Sequence, residues 1–268
     1  MQNWLRTSML LALGAIPGAA QNRAARTPNL NGIWQAINTA NWDIQDHAAR
    51  PALMTVPGPV GPIPAASVVA FGAVGSVPGG LGVVEGNEIP YQPWAAAKKK
   101  ENAEHWLTSD PEIKCYLPGV PRATYMPFPF QIVQTAKVIL MSYEFAGATR
   151  TINMGKPTEA QTESWMGWSN GHWEGDTLVV DVTGQNDQTW FDRAGNFHSE
   201  NLHVIERYTP RSADTLMYEV TIEDSKVFTR PWKMSMPLYR RVEKNARLVE
   251  FNCVEFVEEL LYGKFRKK

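Results

Sequence analysis

The chain has 268 residues, a formal net charge of -1 and a hydrophobic fraction of 44%. That balance excludes a nucleic-acid partner, because neutralising phosphates needs a clustered excess of Lys and Arg, and the one basic run, 264–268, is a terminal tail. No stretch of about 20 unbroken apolar residues is present, so no integral membrane helix is expected.

Taken in order, residues 1–20 read as a secretory signal peptide: Arg6, a short apolar run from Met9 to Ile16, then Gly18, Ala19 and Ala20 before a polar segment. Cleavage near Ala20 leaves a single domain, 21–268, in the periplasm or outside the cell. Between Arg50 and Glu85 there is no charged residue, and prolines at 51, 57, 59, 62, 64 and 78 bar a helix or a central strand. The segment 51–92 is therefore expected to form an apolar flap against the barrel or over a pocket mouth, or a simple surface wrap. A helix is expected over 93–108, with Pro93 in its first turn and Asp110-Pro111 stopping it. Two cysteines, Cys115 and Cys253, are too few for a disulfide scaffold or a structural zinc site. In an oxidising compartment they are expected to bridge; the alternative is two buried thiols.

From Phe130 onward short runs rich in Val, Ile, Thr and aromatics alternate with turn signals. Strands are expected at 130–135, 137–145, 149–154, 165–173, 177–184, 202–210, 216–224, 230–241 and 247–255. In DTLMYEVTIED, Leu216, Tyr218, Val220 and Ile222 fall on one face. So many strands with no helix between them predict a mainly β fold, an antiparallel lipocalin-like β-barrel, with a two-sheet sandwich as the competitor.

GLGVVEGNEIPY (80–91), DPEIKCYLPGVPRATYMPFPFQI (110–132), WEGDTLVVDV (173–182) and HSENLHVIERY (198–208) carry a resemblance over most of the mature chain. By these motifs the protein resembles a family of largely uncharacterised secreted bacterial proteins, which implies secretion but no agreed reaction. The barrel is similar to lipocalin-type barrels at the level of fold alone.

The segment 165–208 gathers three of the five histidines and four tryptophans among carboxylates. Gly167-Trp168-Ser169-Asn170-Gly171 fits G-x-S-x-G, with Asp181 or Asp192 and His198 or His203 in the required order. That nucleophile elbow needs strand, sharp turn and helix, whereas HWEGDTLVVDV runs on into another strand, which argues against a serine hydrolase. His198, His203 and Glu206 form a metal-capable H-x4-H-x2-E set, but in a strand His203 and Glu206 point to opposite faces. The remaining chemistry is cofactor-independent acid-base work, in which His203 carries the proton, His198 assists, Glu206 or Asp192 orients the imidazole and Arg207 stabilises negative charge. His203, Ile205 and Arg207 share one face, expected to look into a wet cavity, and solvent exposure of that face is the alternative.

Asp187, Trp190 and Asp192 read as a pocket rim, and Arg122 and Tyr125 as ligand contacts or an irregular proline-rich wrap. Trp173, Trp190 and Trp232 are the aromatic candidates for ligand contact. The expectation is thus a periplasmic or secreted enzyme of lyase, hydratase or isomerase type acting on a bulky apolar or aromatic small molecule. A non-catalytic carrier of such ligands and a metal-dependent enzyme are the alternatives.

Overall fold

A computed structural model describes residues 27–49, 55–56, 59, 63–64 and 77–255. The signal segment, most of the apolar flap up to residue 76 and the basic tail lie outside the described residues. The strands are β1 (Gly32–Ala36), β2 (Thr55–Val56), β3 (Ile63–Pro64), β4 (Phe130–Gln134), β5 (Val138–Tyr143), β6 (Thr149–Asn153), β7 (Trp168–Glu174), β8 (Thr177–Thr183), β9 (His203–Ser212), β10 (Thr215–Glu223) and β11 (Trp232–Arg240). Nine of them close into a barrel in the order β1-β11-β10-β9-β8-β7-β6-β5-β4, and β2 and β3 pair separately. The sandwich is thereby excluded.

Period-two patterning builds the wall. On β10, Leu216, Tyr218, Val220 and Ile222 are buried, as their shared face predicts, and they meet Leu238, Met236, Met234 and Trp232 of β11 across the ladder. At about 1.5–3 kcal/mol per fully buried large apolar side chain, this inward stripe alone outweighs any single surface contact. Trp34, Phe130, Tyr143, Tyr208 and Tyr218 fill the interior, so the barrel holds a packed core.

Two expectations need correction. The barrel is not wholly antiparallel: β6 and β7 pair in parallel, because the chain from residue 154 to 167 returns along the barrel before β7 starts. And 247–255 forms no strand. The place beside β11 belongs to β1, through Trp34↔Arg240, Gln35↔Tyr239 and Ala36↔Leu238, and β1 closes the ring on β4 through Trp34↔Phe130. Residues 247–255 instead pack at one end: Phe251 lies 4.9 Å from both Phe128 and Phe145, and the Val249 amide donates to Glu144.

The helix over 93–108 is resolved into α1 (Pro93–Glu104) and α2 (Trp106–Ser109), separated at His105. A third short helix, α3 (Arg122–Tyr125), is fully buried. The described end of the flap, 77–92, lies on the barrel: Val84 bridges to Met234 and Tyr91 to Phe228. The same end is plugged by the 184–202 connection, whose buried polar groups satisfy backbone; the Gln185 amide, for instance, both accepts from the Val120 amide and donates to its carbonyl.

Cys115 and Cys253 are bridged, with Cα atoms 5.7 Å apart and a sequence separation of 138. Closing so long a loop lowers the entropy of the unfolded chain, worth about 2–5 kcal/mol. Reduction, or Cys253→Ser, is therefore expected to lower the urea-unfolding free energy by that amount; equal stability of reduced and oxidised protein would show that the bridge constrains nothing.

Candidate functional site

The wall of the barrel has one weak seam. Only Ile152↔Ser169 and Asn153↔Asn170 pair β6 with β7, so Thr149, Arg150 and Thr151 run beside Met166, Gly167 and Trp168 without a ladder between them. Over this break lies a cleft of about 550 Å3. Leu117, Trp165, Met166 and Trp168 give it apolar surface; Thr149, Thr151, Asn153, Gln161, Thr162 and Ser164 give it hydroxyls and amides. Arg150 and Ser169, which belong to the inward faces of their strands and are 4% and 3% exposed, also line it.

Local chemistry holds this wall. Tyr116 packs against Trp165 with ring centroids 4.9 Å apart, and the Trp168 indole N–H donates to Thr158 Oγ1 at 3.0 Å. Gly167 sits at φ +64, and a Cβ there would meet Gln185 Cγ at 2.7 Å and Thr183 O at 2.9 Å, so only glycine lets the chain enter β7 at this point.

Behind the cleft Arg150 meets a carboxylate inside the barrel. Its Nη1 donates to Glu206 Oε2 at 2.7 Å and its Nη2 to Glu206 Oε1 at 3.1 Å, a two-pronged ion pair. Tyr208 accepts from Arg150 Nη2 at 3.0 Å and donates to Glu206 at 2.9 Å, and Tyr218 donates to the same oxygen at 2.6 Å. Burial first, and then the neighbouring Glu206, push both phenols well above their ordinary pKa, so they stay protonated donors. Burial opposes the charge on Arg150, but Glu206 and the tyrosines hold its pKa above the usual value. Two polar atoms of the lining residues, Arg150 Nε and Ser169 Oγ, are buried without a partner.

The residues singled out from sequence are distributed differently. On β9, Val204, Glu206 and Tyr208 are buried and face the interior, whereas His203 and Arg207 look outward. This corrects the orientation expected for them. His203 is 33% exposed and contacts Asp181 at 3.2 Å and Glu223 at 3.0 Å on the flanking strands; Arg207, 38% exposed, pairs with Glu174 at 2.9 Å. Glu206 therefore cannot orient His203.

His198 is buried in the plug. Its Nδ1–H donates to the Ser199 carbonyl at 2.9 Å, which leaves Nε2 to accept from the Thr189 hydroxyl at 2.6 Å. Burial lowers its pKa and keeps it neutral. Asp192, also buried, accepts from the Ile44 amide at 2.9 Å and from Asn196 through both backbone and side chain. Burial first, and then Asp43, raise its carboxyl to about 7 against those donors. His198, His203 and Glu206 thus occupy plug, outer wall and interior, and the metal set read from their spacing is not assembled. No group of three or more His, Cys, Asp or Glu among the described residues could hold a metal ion.

Arg122 sits in a buried network. It donates to both Asp110 oxygens at 2.8 and 2.9 Å and to Glu112 at 2.8 Å, while Arg193 also pairs with Glu112. Burial alone would raise the Glu112 carboxyl, but Arg193 and Arg122 bring it down to about 2. Tyr125 is buried and donates to the Phe191 carbonyl at 2.8 Å; Trp232 packs edge-on against Phe191 and Phe228. Both shape the plug, and Trp190 bridges to Phe197 within it. Asp187 and Trp190 do not line the cleft at the seam. Trp173 borders a second, more polar recess of about 400 Å3 with Asn29, Asn31 and Gln134. Ser169 lies on an unbroken strand, with no elbow and no hydrogen-bond partner, in keeping with the argument against a serine hydrolase.

Arg150, Trp165 and Trp168 are the residues that sequence reasoning did not select. Arg150 had one signal: in TRTINM it shares its face with the apolar Ile152, so an inward β6 carries a guanidinium. Compared with family models, with curated proteins and with solved structures, the chain matches none.

Breaking the interior pair should be expensive. Glu206→Gln is expected to cost about 3–5 kcal/mol in urea unfolding, because it strands the Arg150 charge. Glu206→Leu combined with Arg150→Met should recover most of that, and simple additivity of the single effects would contradict the pairing. The neutral His198 contributes stability at and above its ordinary pKa of about 6.5 and loses it as pH falls below, since the folded state binds the proton less well than the unfolded chain. Thermal unfolding from pH 8 to pH 5 should show this decline in the wild type and a shallower one in His198→Gln; parallel profiles would refute it.

Proposed function

We propose that the protein binds bulky apolar or aromatic small molecules in the cleft over the β6–β7 seam and acts as a non-catalytic carrier outside the cytoplasm. The observation that carries this reading is the composition of that cleft. Its described lining joins two indoles, a methionine and a leucine to hydroxyls and amides, and includes no carboxylate, imidazole, amine or thiol. Acid-base turnover needs a proton carrier within hydrogen-bond reach of the ligand, and His203, His198 and Asp192 each belong to other parts of the fold.

A site of action in the periplasm or outside the cell is supported by the disulfide, which persists in oxidising compartments. Among the described residues no helix is long and apolar enough to cross a membrane. The signal-like pattern read in residues 1–20 points the same way.

The test uses N-phenyl-1-naphthylamine, an uncharged fluorescent probe, titrated into the purified full chain. Saturable binding at one site is expected, weakened about tenfold by Trp165→Ala and by Trp168→Ala, in line with roughly 1–2 kcal/mol of lost contact per ring. Binding that neither substitution alters would place the ligand elsewhere and end the proposal for this cleft.

A further inference from the structure

We infer that the recess beside Trp173, at the end of the barrel away from the plug, is a second binding site and takes an uncharged sugar, a neutral pyranoside. It shares no residue with the seam cleft and does not depend on the function proposed for it.

The register places this recess. The 184–202 plug joins the end of β8 to the start of β9, at the end of the barrel where Trp168 pairs with Thr183. Trp173 pairs with Leu178 at the opposite end, where β4 finishes at Gln134 and β1 begins at Gly32. It follows the buried Ser169 and Gly171 on the inward face of β7, so part of its indole packs on the core and part stays accessible. Together with Thr27, Asn29, Asn31 and Gln134 it lines a hollow of about 400 Å3, large enough for a small ligand and set in a barrel mouth.

The lining is polar without being charged. No acid, base or imidazole is among the described residues that form it, and carboxamides and hydroxyls surround the single indole. The carboxamides are held in place by one another and by backbone. Asn29 Oδ1 accepts from the Asn31 amide at 3.0 Å and from Asn31 Nδ2 at 2.6 Å, Asn31 Oδ1 accepts from the Gln134 amide at 2.7 Å, and Gln134 Oε1 accepts from the Leu30 amide at 2.8 Å. Gln134 Nε2 donates to the Pro28 carbonyl at 3.0 Å. A carboxamide nitrogen carries two N–H groups, so Asn29 keeps both of its own, and Asn31 and Gln134 keep one each. The Trp173 indole N–H also has no partner among the described residues. Asn29 and Asn31 are exposed, and Gln134 and Trp173 half-buried, so a guest can reach all four from solvent.

This donor-rich, neutral hollow discriminates between ligand classes. A hydrocarbon would displace water from the unmet N–H groups and return nothing to them. An anion would shed its hydration without meeting a cation. A pyranoside carries oxygen acceptors around its rim for the amides and an apolar C–H face for the indole, and loses no charge hydration on entry.

The test titrates the purified, 15N-labelled full chain and follows the tryptophan indole N–H resonances, with the Trp173 signal assigned by its loss in Trp173→Phe. Cellobiose and maltose are expected to shift that signal saturably with a Kd of about 1–10 mM, as suits an open recess. Asn29→Ala should weaken both about three- to tenfold while leaving the Tm unchanged, because one exposed carboxamide is removed. Sorbitol, which carries the hydroxyls without the ring, and sulfate should leave the signal in place at the same concentrations. A Trp173 resonance that neither disaccharide moves, even tenfold above that range, overturns the site. Sorbitol or sulfate acting as strongly as the disaccharides overturns the ligand class, and saturable shifts indifferent to Asn29→Ala overturn the role of the amides.

Discussion

Everything in this barrel is arranged around one buried ion pair. Arg150 on β6 and Glu206 on β9 are separated in the ring by β7 and β8, lie 56 residues apart in sequence, and meet in the packed interior. Taking two charges out of water is costly, and their attraction offsets that cost only with good geometry and with the remaining lone pairs occupied. Both conditions hold: the contact is two-pronged, and Tyr208 and Tyr218 bring their hydroxyls to one Glu206 oxygen. The pair therefore constrains which residues may face inward on β6, β9 and β10 together. A slip of one residue in any of these strands would turn a charged or phenolic group to the wrong side of the wall.

A second set of charges does the equivalent task at the end of the barrel. Arg122 and Arg193 face Asp110 and Glu112, and the Asn41 side chain accepts from Arg122 Nε at 3.0 Å. These groups belong to the 38–47, 110–125 and 184–202 segments, none of which has a long helix or a strand of its own. Irregular chain has no ladder to satisfy its polar groups, so paired side chains and bonds such as those of Gln185 to Val120 take the place of secondary structure. The loop with two acids and a histidine, which looks like a pocket rim when read as sequence, is for this reason a plug. Its polar residues are spent on structure.

The same logic explains what could be read from the chain and what could not. Strands β4 to β11 carry their alternation locally, and the inward stripe Leu216, Tyr218, Val220, Ile222 is visible without any knowledge of partners. By contrast β1, GIWQA, stands alone near the start of the chain, and its role depends on β4 and β11 far along it. In LHVIERY both faces carry one charged residue. The face of Val204, Glu206 and Tyr208 is inward because Glu206 finds Arg150, whereas His203 and Arg207 find Asp181, Glu223 and Glu174 at the surface. Which carboxylate meets which cation is a property of the closed ring. Reading β9 alone could divide the residues into two faces and could not say which face was wet.

Topology then determines where a ligand can be held. A continuous antiparallel meander seals its wall with a hydrogen-bonded ladder on every side, and a filled interior leaves nowhere to bind. The parallel step from β6 to β7 breaks that pattern, since the chain must travel back along the barrel before β7 begins, and the two strands share only two residue pairs. The returning segment supplies Trp165 and Met166, and the unladdered part of β6 supplies Thr149 and Thr151, so recess and crossover are one feature. Arg150 spans it. Its two Nη atoms brace the interior against Glu206, which ties the integrity of the core to the strand that walls the cleft. Separating β6 from β7 further would cost two residue pairs, whereas separating β9 from β10 would cost nine. The seam is the cheapest place in the ring to admit a guest.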